Sequence, residues 1–514
     1  MSSRLCGVFF LMAFCLFALT AQAALTNPEG GLAKNEPVAA TQEGVEGQRL
    51  GLGIAERQDV QEELGKILSY WSVIPFILIL LAIAIIPLLH GVWWESNLNK
   101  GVVSVLCSLP IISYLLWIGP LGQKALLDIL HDYYAFIILL VALYTISGGI
   151  HLDGDLKASP LVNMMFLGLG AILASLIGTT GASMLLIRPL LKTNQERKKK
   201  AHIFIFFIFL VANIGGSLLP VGDPPLFLGY LFGVPFFWTL RLWPLWLTEV
   251  ALLLIIFYLW DTWAYSKESK EDLRRDLREQ KPIKVHGKIN LLLILGVLCS
   301  VIFFRVYEVD GTRIDLSWMQ QPAMILLALV SFVLDTQSKQ KAHKRGHTQF
   351  KSPREHNFFT FSAMVEVALL FMGIFITMTP ALSLLKAHGA ETGVSQPWQF
   401  FWMSGGLSSF LDNAPTYATY FALGQGVTKG LLLSSTNLSV VSIANGPIGE
   451  EILMAISAGS VFMGANTYIG NAPNFMVKTL CEEAKVKMPS FFGYMLYSGC
   501  ILVPSFLLIM FIYL

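Results

Sequence analysis

The sequence predicts an all-α polytopic membrane protein with about ten membrane spans. The 514-residue chain is 54% hydrophobic and 14% charged, whereas soluble domains carry about 25% charged residues. Its mean hydropathy is +0.62. Many apolar runs reach the length of about 20 residues that a helix needs to cross a bilayer. These runs are continuous and do not alternate with polar residues, which favours membrane helices over membrane strands.

The N-terminal residues 1–23 have the pattern of a secretory signal peptide. One Arg precedes a short apolar run, and the tripeptide Ala-Gln-Ala that follows is a small-x-small cleavage site. The alternative is an uncleaved first membrane helix. Residues 24–70 are polar and glycine-rich, and we expect them to form a polar tail outside the cytoplasm.

Eight apolar stretches are continuous and predict simple membrane helices, whereas four others are interrupted by glycine, proline or polar residues. The continuous stretches are 71–91, 101–119, 133–150, 243–262, 289–305, 320–335, 359–379 and 490–514. The interrupted stretches are 161–192, 202–235, 397–424 and 451–478. An opened helix leaves backbone groups that lipid cannot satisfy, so such a break is tolerated where it is enclosed by protein or lines a cavity.

Lys and Arg concentrate in three loops, which indicates that these loops lie in the cytoplasm. The loops are 188–200 with six basic residues, 267–288 with eight and 339–354 with six. With the N-terminal tail outside, this orientation makes 161–192 a re-entrant hairpin entered from the cytoplasm. The stretch 397–424 then becomes a hairpin entered from outside. The broken helix at 202–235 crosses outward, and the one at 451–478 crosses inward.

The two halves of the chain therefore have opposite topology, which is the signature of an inverted repeat. The first membrane half is 71–262, the second is 359–514, and a linker at 263–358 contains a helix pair at 289–335. The breaks share a loose local pattern, ANIGGSLLPVGDPPLF (212–227) and GANTYIGNAPNFMVK (464–478). In proteins of this architecture the interrupted segments build the binding site near the bilayer midplane.

The breaks and hairpin tips supply polar side chains and bare backbone from which an ion or substrate site can be built. Besides the carboxylates, the candidates are Thr179, Thr180, Ser183, Asn213, Gly215, Gly216, Asn413, Thr416, Asn466, Thr467 and Asn471. Half-helix N-termini favour anions, whereas unwound carbonyl groups favour cations. The alternative is that these side chains cap broken helix ends or bond across helices.

Asp223 and Asp412 are the sharpest candidates, because each half places one carboxylate where a charge is costly. Such a carboxylate can exchange a proton for a small cation, and both residues are candidate Na⁺ ligands with amides and carbonyls completing the shell. The alternative is that Asp223 begins a turn and Asp412 caps a helix. Glu366 is a candidate second proton carrier and Glu249 is similar, although either could instead pair with a neighbouring helix.

Four segments of the chain resemble the ion-transporter superfamily: GTTGASMLLIRPLL, ANIGGSLLPVGDPP, LSSFLDNAPTYA and IGNAPNFMVK. This superfamily includes NhaD-type sodium/proton antiporters, arsenite permeases, citrate transporter-like proteins and dicarboxylate/sodium symporters. The resemblance covers roughly residues 70–514. It implies a scaffold domain, a transport domain that holds the hairpins and broken helices, and elevator-like alternating access. By matching motifs it also implies that the site is lined by Thr179, Thr180, Asn213, Asp223, Asp412, Asn413 and Asn466.

The resemblance implies a secondary transporter of a bacterial-type inner membrane, and three substrates remain open. We expect exchange of Na⁺ for H⁺; the alternatives are ion-coupled transport of citrate or another organic anion, and efflux of arsenite or another oxyanion. The hairpin tips read Gly-Thr-Thr-Gly and Leu-Asp-Asn-Ala-Pro and lack the Ser-Asn-Thr tips of the dicarboxylate branch. Two carboxylates would repel an organic anion unless a metal or a proton intervened.

The sequence contains no Walker motif, no glycine-rich strand–helix loop and no HExxH motif, so we expect neither an enzyme nor a cofactor. Na⁺ and H⁺ would enter only as transported or coupling ions. The expected partners are a small ion or organic anion, the lipid bilayer and, because related elevator proteins often dimerise, a second copy of the chain. The net charge of +2 gives no reason to expect nucleic acid.

Overall fold

A computed structural model describes residues 52–269, 271, 280–309, 312–344, 351–433, 438–443 and 446–514. The predicted signal peptide and the first part of the predicted tail lie outside these ranges. Residues from Ile54 to Leu514 cluster as one compact unit.

Helices dominate the described residues. The α-helices are α1 (Leu52–Ile67), α2 (Ile74–Leu89), α3 (Gly91–Trp94), α4 (Asn97–Ile118), α5 (Pro120–Gly148), α6 (Pro160–Ile177), α7 (Thr179–Thr193), α8 (Ala201–Leu210), α9 (Pro224–Leu231), α10 (Trp243–Tyr265), α11 (Ile289–Phe303), α12 (Gln320–Lys344), α13 (Pro353–His356), α14 (Ser362–His388), α15 (Pro397–Ser408), α16 (Asn413–Leu433), α17 (Glu450–Phe462), α18 (Ala472–Glu483) and α19 (Phe491–Tyr513). Short 3₁₀ helices cover Tyr70–Val73, Ile214–Ser217, Phe236–Leu242, Ser317–Met319, Gly389–Thr392 and Met463–Asn466.

The strands lie in the connecting segments and form antiparallel pairs. They are β1 (His151–Asp155) with β2 (Lys281–His286), β3 (Val306–Val309) with β4 (Thr312–Asp315), and β5 (Val440–Val441) with β6 (Ile448–Gly449). In the first pair His151 is opposite His286 and Leu152 is opposite Val285. This pair joins the connection between α5 and α6 to the linker that separates the two membrane halves.

Within the described ranges, eight helical segments have the length and apolar composition to cross a membrane. They are Tyr70–Pro87, Asn97–Ile118, Pro120–Gly148, Pro160–Ile177, Phe236–Tyr265, Ser317–Gln340, Ser362–Thr392 and Phe491–Tyr513. The predicted fold class, an all-α polytopic membrane protein, is confirmed. The predicted span at 289–305 corresponds to α11, whose 15 residues are fewer than the about 20 that a simple crossing needs.

The same order of elements occurs twice in the chain. The long helix α5 is followed by the helix pair α6–α7, helix α8, the 3₁₀ turn Ile214–Ser217, and helices α9 and α10. The long helix α14 is followed by α15–α16, α17, the 3₁₀ turn Met463–Asn466, and α18 and α19. Both predicted hairpins and both predicted helix breaks therefore have counterparts in this order. The opposite membrane orientation of the two halves stays a prediction.

Helices α5 and α14 form the centre of the molecule. In the most apolar 18-residue stretch of α14, 83% of the residues are buried, whereas the corresponding share in α4 is 22%. Helix α14 is therefore enclosed by protein, and α4 is peripheral. Helix α4 packs against α14, and its counterpart α12 packs against α5. The first half thus contributes a helix that packs on the central helix of the second half, and the linker contributes a helix that packs on the central helix of the first half. Between the central helices, the ring of Phe136 stacks on Phe371 at 5.1 Å and contacts Phe375 at 5.3 Å.

Helix α1 lies within the region that the sequence predicts to be a polar tail. Val60 and Leu64 are buried in an apolar cluster with Ile111 and Leu115 of α4 and Leu384 of α14. The tail therefore ends in a helix that packs on the membrane core, because apolar residues recur along one face of an otherwise polar sequence.

Helix α8 leads into the first helix break. Its residues from Ile203 to Leu210 are all apolar and at most 1% exposed, as expected for a helix segment enclosed in the protein. The helix ends at Leu210, and Asn213 leaves helical geometry with φ −140° and ψ −84°. Because this break is enclosed, protein groups can satisfy its backbone in place of water.

Candidate functional site

The tip of the first hairpin lies against the first helix break. Gly178 separates α6 from α7 with φ +82°, a left-handed conformation that favours glycine. The backbone N–H of Thr179 donates to the carbonyl oxygen of Gly222 at 2.8 Å, and the Thr179 hydroxyl donates to Asp223 Oδ1 at 2.8 Å. Two segments more than forty residues apart in sequence are thereby joined at one carboxylate.

The second half of the chain reaches the same carboxylate. Asn413 Nδ2 donates to Asp223 Oδ2 at 3.0 Å, and Asn471 Nδ2 lies 3.4 Å from Oδ1. Asp223 is only 1% exposed. The hydroxyl and amide partners around it are neutral, so they solvate the carboxylate without cancelling its charge. Asp223 is therefore the point at which both hairpin tips and both breaks converge.

A cavity of about 80 Å³ opens beside Asp223 and Asp412. Its polar lining includes Thr179, Thr180 and Asn471 as well as the two carboxylates, and its apolar lining includes Leu139 and Leu143 of α5, Phe227 of α9, and Met364, Val367 and Phe371 of α14. Among these described lining residues none is Lys, Arg or His. A water molecule needs about 10–15 Å³ of such space, so the cavity can hold a partly hydrated ion.

Several helix N-termini surround the cavity. Thr179 begins α7, Pro224 begins α9 and Ala472 begins α18, and each of these residues lines the cavity. Asp412 immediately precedes α16. Helix N-termini carry partial positive charge, and here that charge stabilises the two carboxylates.

A chain of amides connects the breaks to each other. Asn471 Nδ2 lies 3.2 Å from Asn213 Oδ1, and Asn213 Nδ2 donates to Asn474 Oδ1 at 2.7 Å. Asn474 Nδ2 in turn donates to the backbone oxygens of Gly464 and Thr467, both at 2.9 Å. Buried amides bonded in this way hold the unwound backbone of one half against that of the other.

Asp412 both lines the cavity and caps a helix. Its Oδ1 accepts from the backbone N–H of Ala414 at 3.1 Å, and its backbone oxygen accepts from the Thr416 hydroxyl at 3.0 Å. The capping role that the sequence offered as an alternative is therefore present. The capping bond is made by Oδ1, and Asp412 also lines the cavity.

The remaining predicted residues lie behind the cavity. Gly216 backs directly onto the site, because a Cβ on it would lie 2.6 Å from Thr179 Cγ2. Gly215 packs on the backbone of α6. The Asn466 amide donates to the Ser409 hydroxyl at 2.9 Å and the Thr467 hydroxyl donates to the Ser409 backbone oxygen. Ser183 is fully buried in α7. A binding role for these residues stays a prediction.

The two membrane glutamates do not line the cavity. Glu366 Oε1 pairs with Lys100 Nζ at 2.6 Å, and 40% of its side chain is exposed, while its neighbours Met364 and Val367 face the cavity. Glu249 is fully buried and accepts from the Ser505 hydroxyl at 2.6 Å. Each thus has the contact with a neighbouring helix that the sequence offered as the alternative to proton transfer.

Ser408 and Asn474 also belong to this hydrogen-bond network and were not predicted from the sequence. Ser408 lies one helical turn before Asp412, and its hydroxyl donates to Asn413 Oδ1 at 2.6 Å. Asn474 follows Asn471 by three residues in the segment NAPNF, a spacing that returns to the same face of a helix. That spacing makes Asn474 predictable, whereas the contact of Ser408 with Asn413 depends on the turn between α15 and α16.

The described residues include no group of three or more His, Cys, Asp or Glu side chains placed to hold a metal ion. A cation bound here would therefore take most of its oxygens from amides, hydroxyls and backbone carbonyls. Such weak neutral ligands suit an ion that has to leave again.

Comparison with known proteins identifies the family. Residues 65–514 match a family model described as "Putative citrate transport". A search of curated proteins finds no match. The matched range includes both hairpins, both helix breaks and the linker between the halves. The chain belongs to this citrate-transport family, within the ion-transporter superfamily.

Proposed function

We propose that this secondary transporter exchanges Na⁺ for protons at Asp223 and Asp412. The observation that carries the proposal is the lining of one cavity by two carboxylates with amide and hydroxyl neighbours and no basic side chain among the described lining residues. A cavity with this lining attracts a cation or a proton, because a carboxylate at membrane depth that no basic side chain pairs with is costly.

Competition for the same carboxylates couples the two ions. When Na⁺ occupies the site, its charge keeps Asp223 and Asp412 ionised; when Na⁺ leaves, protons neutralise them. The empty, doubly ionised site is the costly state, so the transporter returns across the membrane with one ion or the other. Exchange then needs no ATP.

The architecture supports alternating access of an elevator-like kind. The cavity lies between the central helices α5 and α14 on one side and the hairpin tips and breaks on the other. A repeated order of elements with opposite orientation would offer two equivalent closures, one toward each face of the membrane. We place the protein in a bacterial-type inner membrane with its basic loops in the cytoplasm, as the distribution of Lys and Arg favours.

Citrate is the second candidate substrate. It is favoured by the description of the family and by the helix N-termini at the cavity, which attract carboxylates. Asp223 and Asp412 would have to be protonated or bridged by a cation before citrate could bind beside them. Transport of citrate would therefore be coupled to protons or to a metal cation through the same two residues.

Proteoliposomes with a pH-sensitive dye test the proposal. A Na⁺ pulse is expected to drive proton movement that disappears in Asp223→Asn and in Asp412→Asn, because an amide binds neither a proton nor a cation as a carboxylate does. Citrate supplied in place of Na⁺ is expected to move no protons. Uptake of labelled citrate that survives both substitutions, without any response to Na⁺, would contradict the antiporter and favour the second candidate.

A further inference from the structure

The side-chain amide of Asn413 lies between a carboxylate and a hydroxyl. Its Nδ2 donates to Asp223 Oδ2 at 3.0 Å, and its Oδ1 accepts from Ser408 Oγ at 2.6 Å. Ser408 Oγ also lies 2.6 Å from the backbone oxygen of Ser460. A serine hydroxyl has one hydrogen and two lone pairs. Ser408 therefore has two acceptors for its single hydrogen, and it can accept a bond whenever that hydrogen goes to Ser460.

The Asp223 carboxylate alone is best solvated by N–H donors, whereas a cation bound to it needs oxygen ligands from the neighbouring side chains. In the structure the amides of Asn413 and Asn471 turn N–H groups toward Asp223. An N–H group repels a cation, whereas an amide oxygen coordinates one. An amide that turns over by about 180° exchanges its donor face for its acceptor face.

The Asn471 amide cannot turn over without losing the hydrogen bonds that its Nδ2 makes to two other oxygen atoms. Its Nδ2 also lies 3.1 Å from the backbone oxygen of Ala212 and 3.2 Å from Asn213 Oδ1. Turned over, the Asn471 oxygen would face two oxygen atoms that have no hydrogen to give. Burying unpaired acceptors in this way is unfavourable.

Asn213 and Asn474 are held in the same sense by backbone oxygens. Asn213 Nδ2 donates to the carbonyl of Ile208 at 2.8 Å. Asn474 Nδ2 donates to the carbonyls of Gly464 and Thr467. Since a carbonyl oxygen can only accept, neither amide can turn, and the orientation of Asn471 is fixed through them.

Asn413 differs because its second partner is a hydroxyl. When its amide is turned, Nδ2 donates to Ser408 Oγ, the Ser408 hydrogen goes to the Ser460 carbonyl, and Oδ1 faces Asp223. In either orientation Nδ2 therefore has an acceptor, Asp223 Oδ2 in one and Ser408 Oγ in the other. Gly464 lies directly against this amide, since a Cβ there would lie 2.2 Å from Asn413 Oδ1. Bare backbone at that point leaves the amide its space.

We propose that Ser408 is a positioning residue that allows Asn413 to present its amide oxygen to a cation at Asp223. The inference rests on the proposed function, because it requires that a cation binds at Asp223. Asn413 is then the switchable ligand of the site, and Asn471 is a fixed donor to the carboxylate.

Na⁺ titration calorimetry on the purified full-length protein tests the role of Ser408. Ser408→Ala removes the hydroxyl that accepts from the turned amide, so we expect Na⁺ to bind about tenfold more weakly or worse. In proteoliposomes the same variant should raise the KM for Na⁺ more than it lowers the maximal rate. Ser404→Ala is the matched control, since Ser404 is buried one turn earlier in α15 and lies 3.4 Å from the carbonyl of Phe401.

The outcomes separate this inference from the proposed function. If the unaltered protein binds Na⁺, Asp223→Asn does not, and the Ser408→Ala and Ser404→Ala variants bind equally well, the inference is overturned and the proposed function stands. If the unaltered protein binds no Na⁺, the proposed function fails and the inference fails with it.

A second pair of variants serves if Ser408→Ala does not fold. Ser408→Thr and Ser408→Val have the same shape and differ only in the hydroxyl. We expect the Thr variant to bind Na⁺ more tightly than the Val variant. Equal affinity of this pair would overturn the inference.

Discussion

The backbone N–H of Thr179 donates to the carbonyl oxygen of Gly222 at 2.8 Å. This bond seats the tip of the first hairpin on the first helix break, one residue before Asp223. It requires close approach of bare backbone, because a Cβ on Gly222 would lie 2.2 Å from the carbonyl oxygen of Gly216. The position of the Asp223 carboxylate in the cavity thus depends on Gly222, which has no side chain that could bind an ion.

We expect Gly222→Ala to abolish ion exchange and to lower the melting temperature. The added methyl group would force the break apart, at a cost of about 1–3 kcal/mol, and would move Asp223 away from Thr179. Proton movement in proteoliposomes and thermal unfolding in detergent measure the two effects. Gly406→Ala is the control, since nothing lies within 4 Å of a Cβ there. Normal exchange by Gly222→Ala would show that the break tolerates a side chain.

A buried ion pair at one end of α10 supports the hairpin base. Asp261 Oδ2 accepts from Arg197 Nη1 at 3.0 Å and from Asn163 Nδ2 at 3.0 Å, and Oδ1 lies 2.8 Å from His202 Nε2. Both charged side chains are at most 1% exposed. We expect Asp261→Asn to lower the free energy of unfolding by about 3–5 kcal/mol, because the buried charge of Arg197 would lose its nearer carboxylate. Glu268 Oε1, 4.0 Å from Arg197 Nε, would remain.

The matched variant for this pair is Asp153→Asn. Asp153 pairs with Lys192 at 3.1 Å, but both side chains are more than 40% exposed, and exposed ion pairs contribute about 0–1 kcal/mol. Thermal unfolding of the two variants side by side measures the difference. A small and equal loss in both would contradict the assigned role of burial at Asp261.

Glu366→Gln is expected to leave Na⁺-driven proton movement within about twofold of that of the unaltered protein. The carboxylate pairs with Lys100 at 2.6 Å outside the cavity lining, so its loss should affect stability more than exchange. Lys100 is 4% exposed, and leaving it unpaired should lower the melting temperature. Loss of exchange in a Glu366→Gln protein of normal stability would instead identify Glu366 as the proton carrier that the sequence suggests.

We expect His151, at the junction of β1, β2 and α13, to make stability depend on pH. Its ring stacks on His356 at 4.7 Å, its Nδ1 lies 3.0 Å from Asn357 Oδ1, and His286 and Asp153 are the other titratable groups beside it. Burial lowers the pKa of His151, and positive charge on His356 lowers it further, whereas the bond to Asn357 and the charge of Asp153 act in the opposite sense.

The unfolded chain therefore binds a proton at His151 more readily than the folded chain does. Stability from this group is present at high pH and is lost as the pH falls below the unfolded value of about 6.5. We expect His151→Gln to flatten the fall in melting temperature between about pH 7.5 and pH 5.5. His131→Gln is the control, since 53% of the His131 side chain is exposed. An unchanged slope in His151→Gln would place the acid sensitivity elsewhere.

Much of the helical architecture follows from local sequence. Membrane-length apolar runs can only be satisfied as helices in lipid, so the fold class and most helices were predictable. The glycines and prolines of VANIGGSLLPVGDPP predicted the first break because they interrupt such a run. Helix α1 was missed, since its few apolar residues are hidden among polar ones until packing on α4 and α14 supplies the partner surface.

The identity of the carboxylates and amides of the site was predictable, because polar groups at membrane depth are costly and commonly mark functional sites. Their arrangement was not. Asp223 meets Asn413 across 190 positions of sequence, and only the packing of one half against the other decides which groups share a cavity. The same packing leaves Glu366 outside the cavity lining, whereas Ser408 reaches Asn413 across the turn between α15 and α16. Sequence by itself determined which side chains lie in the membrane; tertiary structure decided which of them converge, because hydrogen bonds of about 3 Å depend on distances that no local pattern contains.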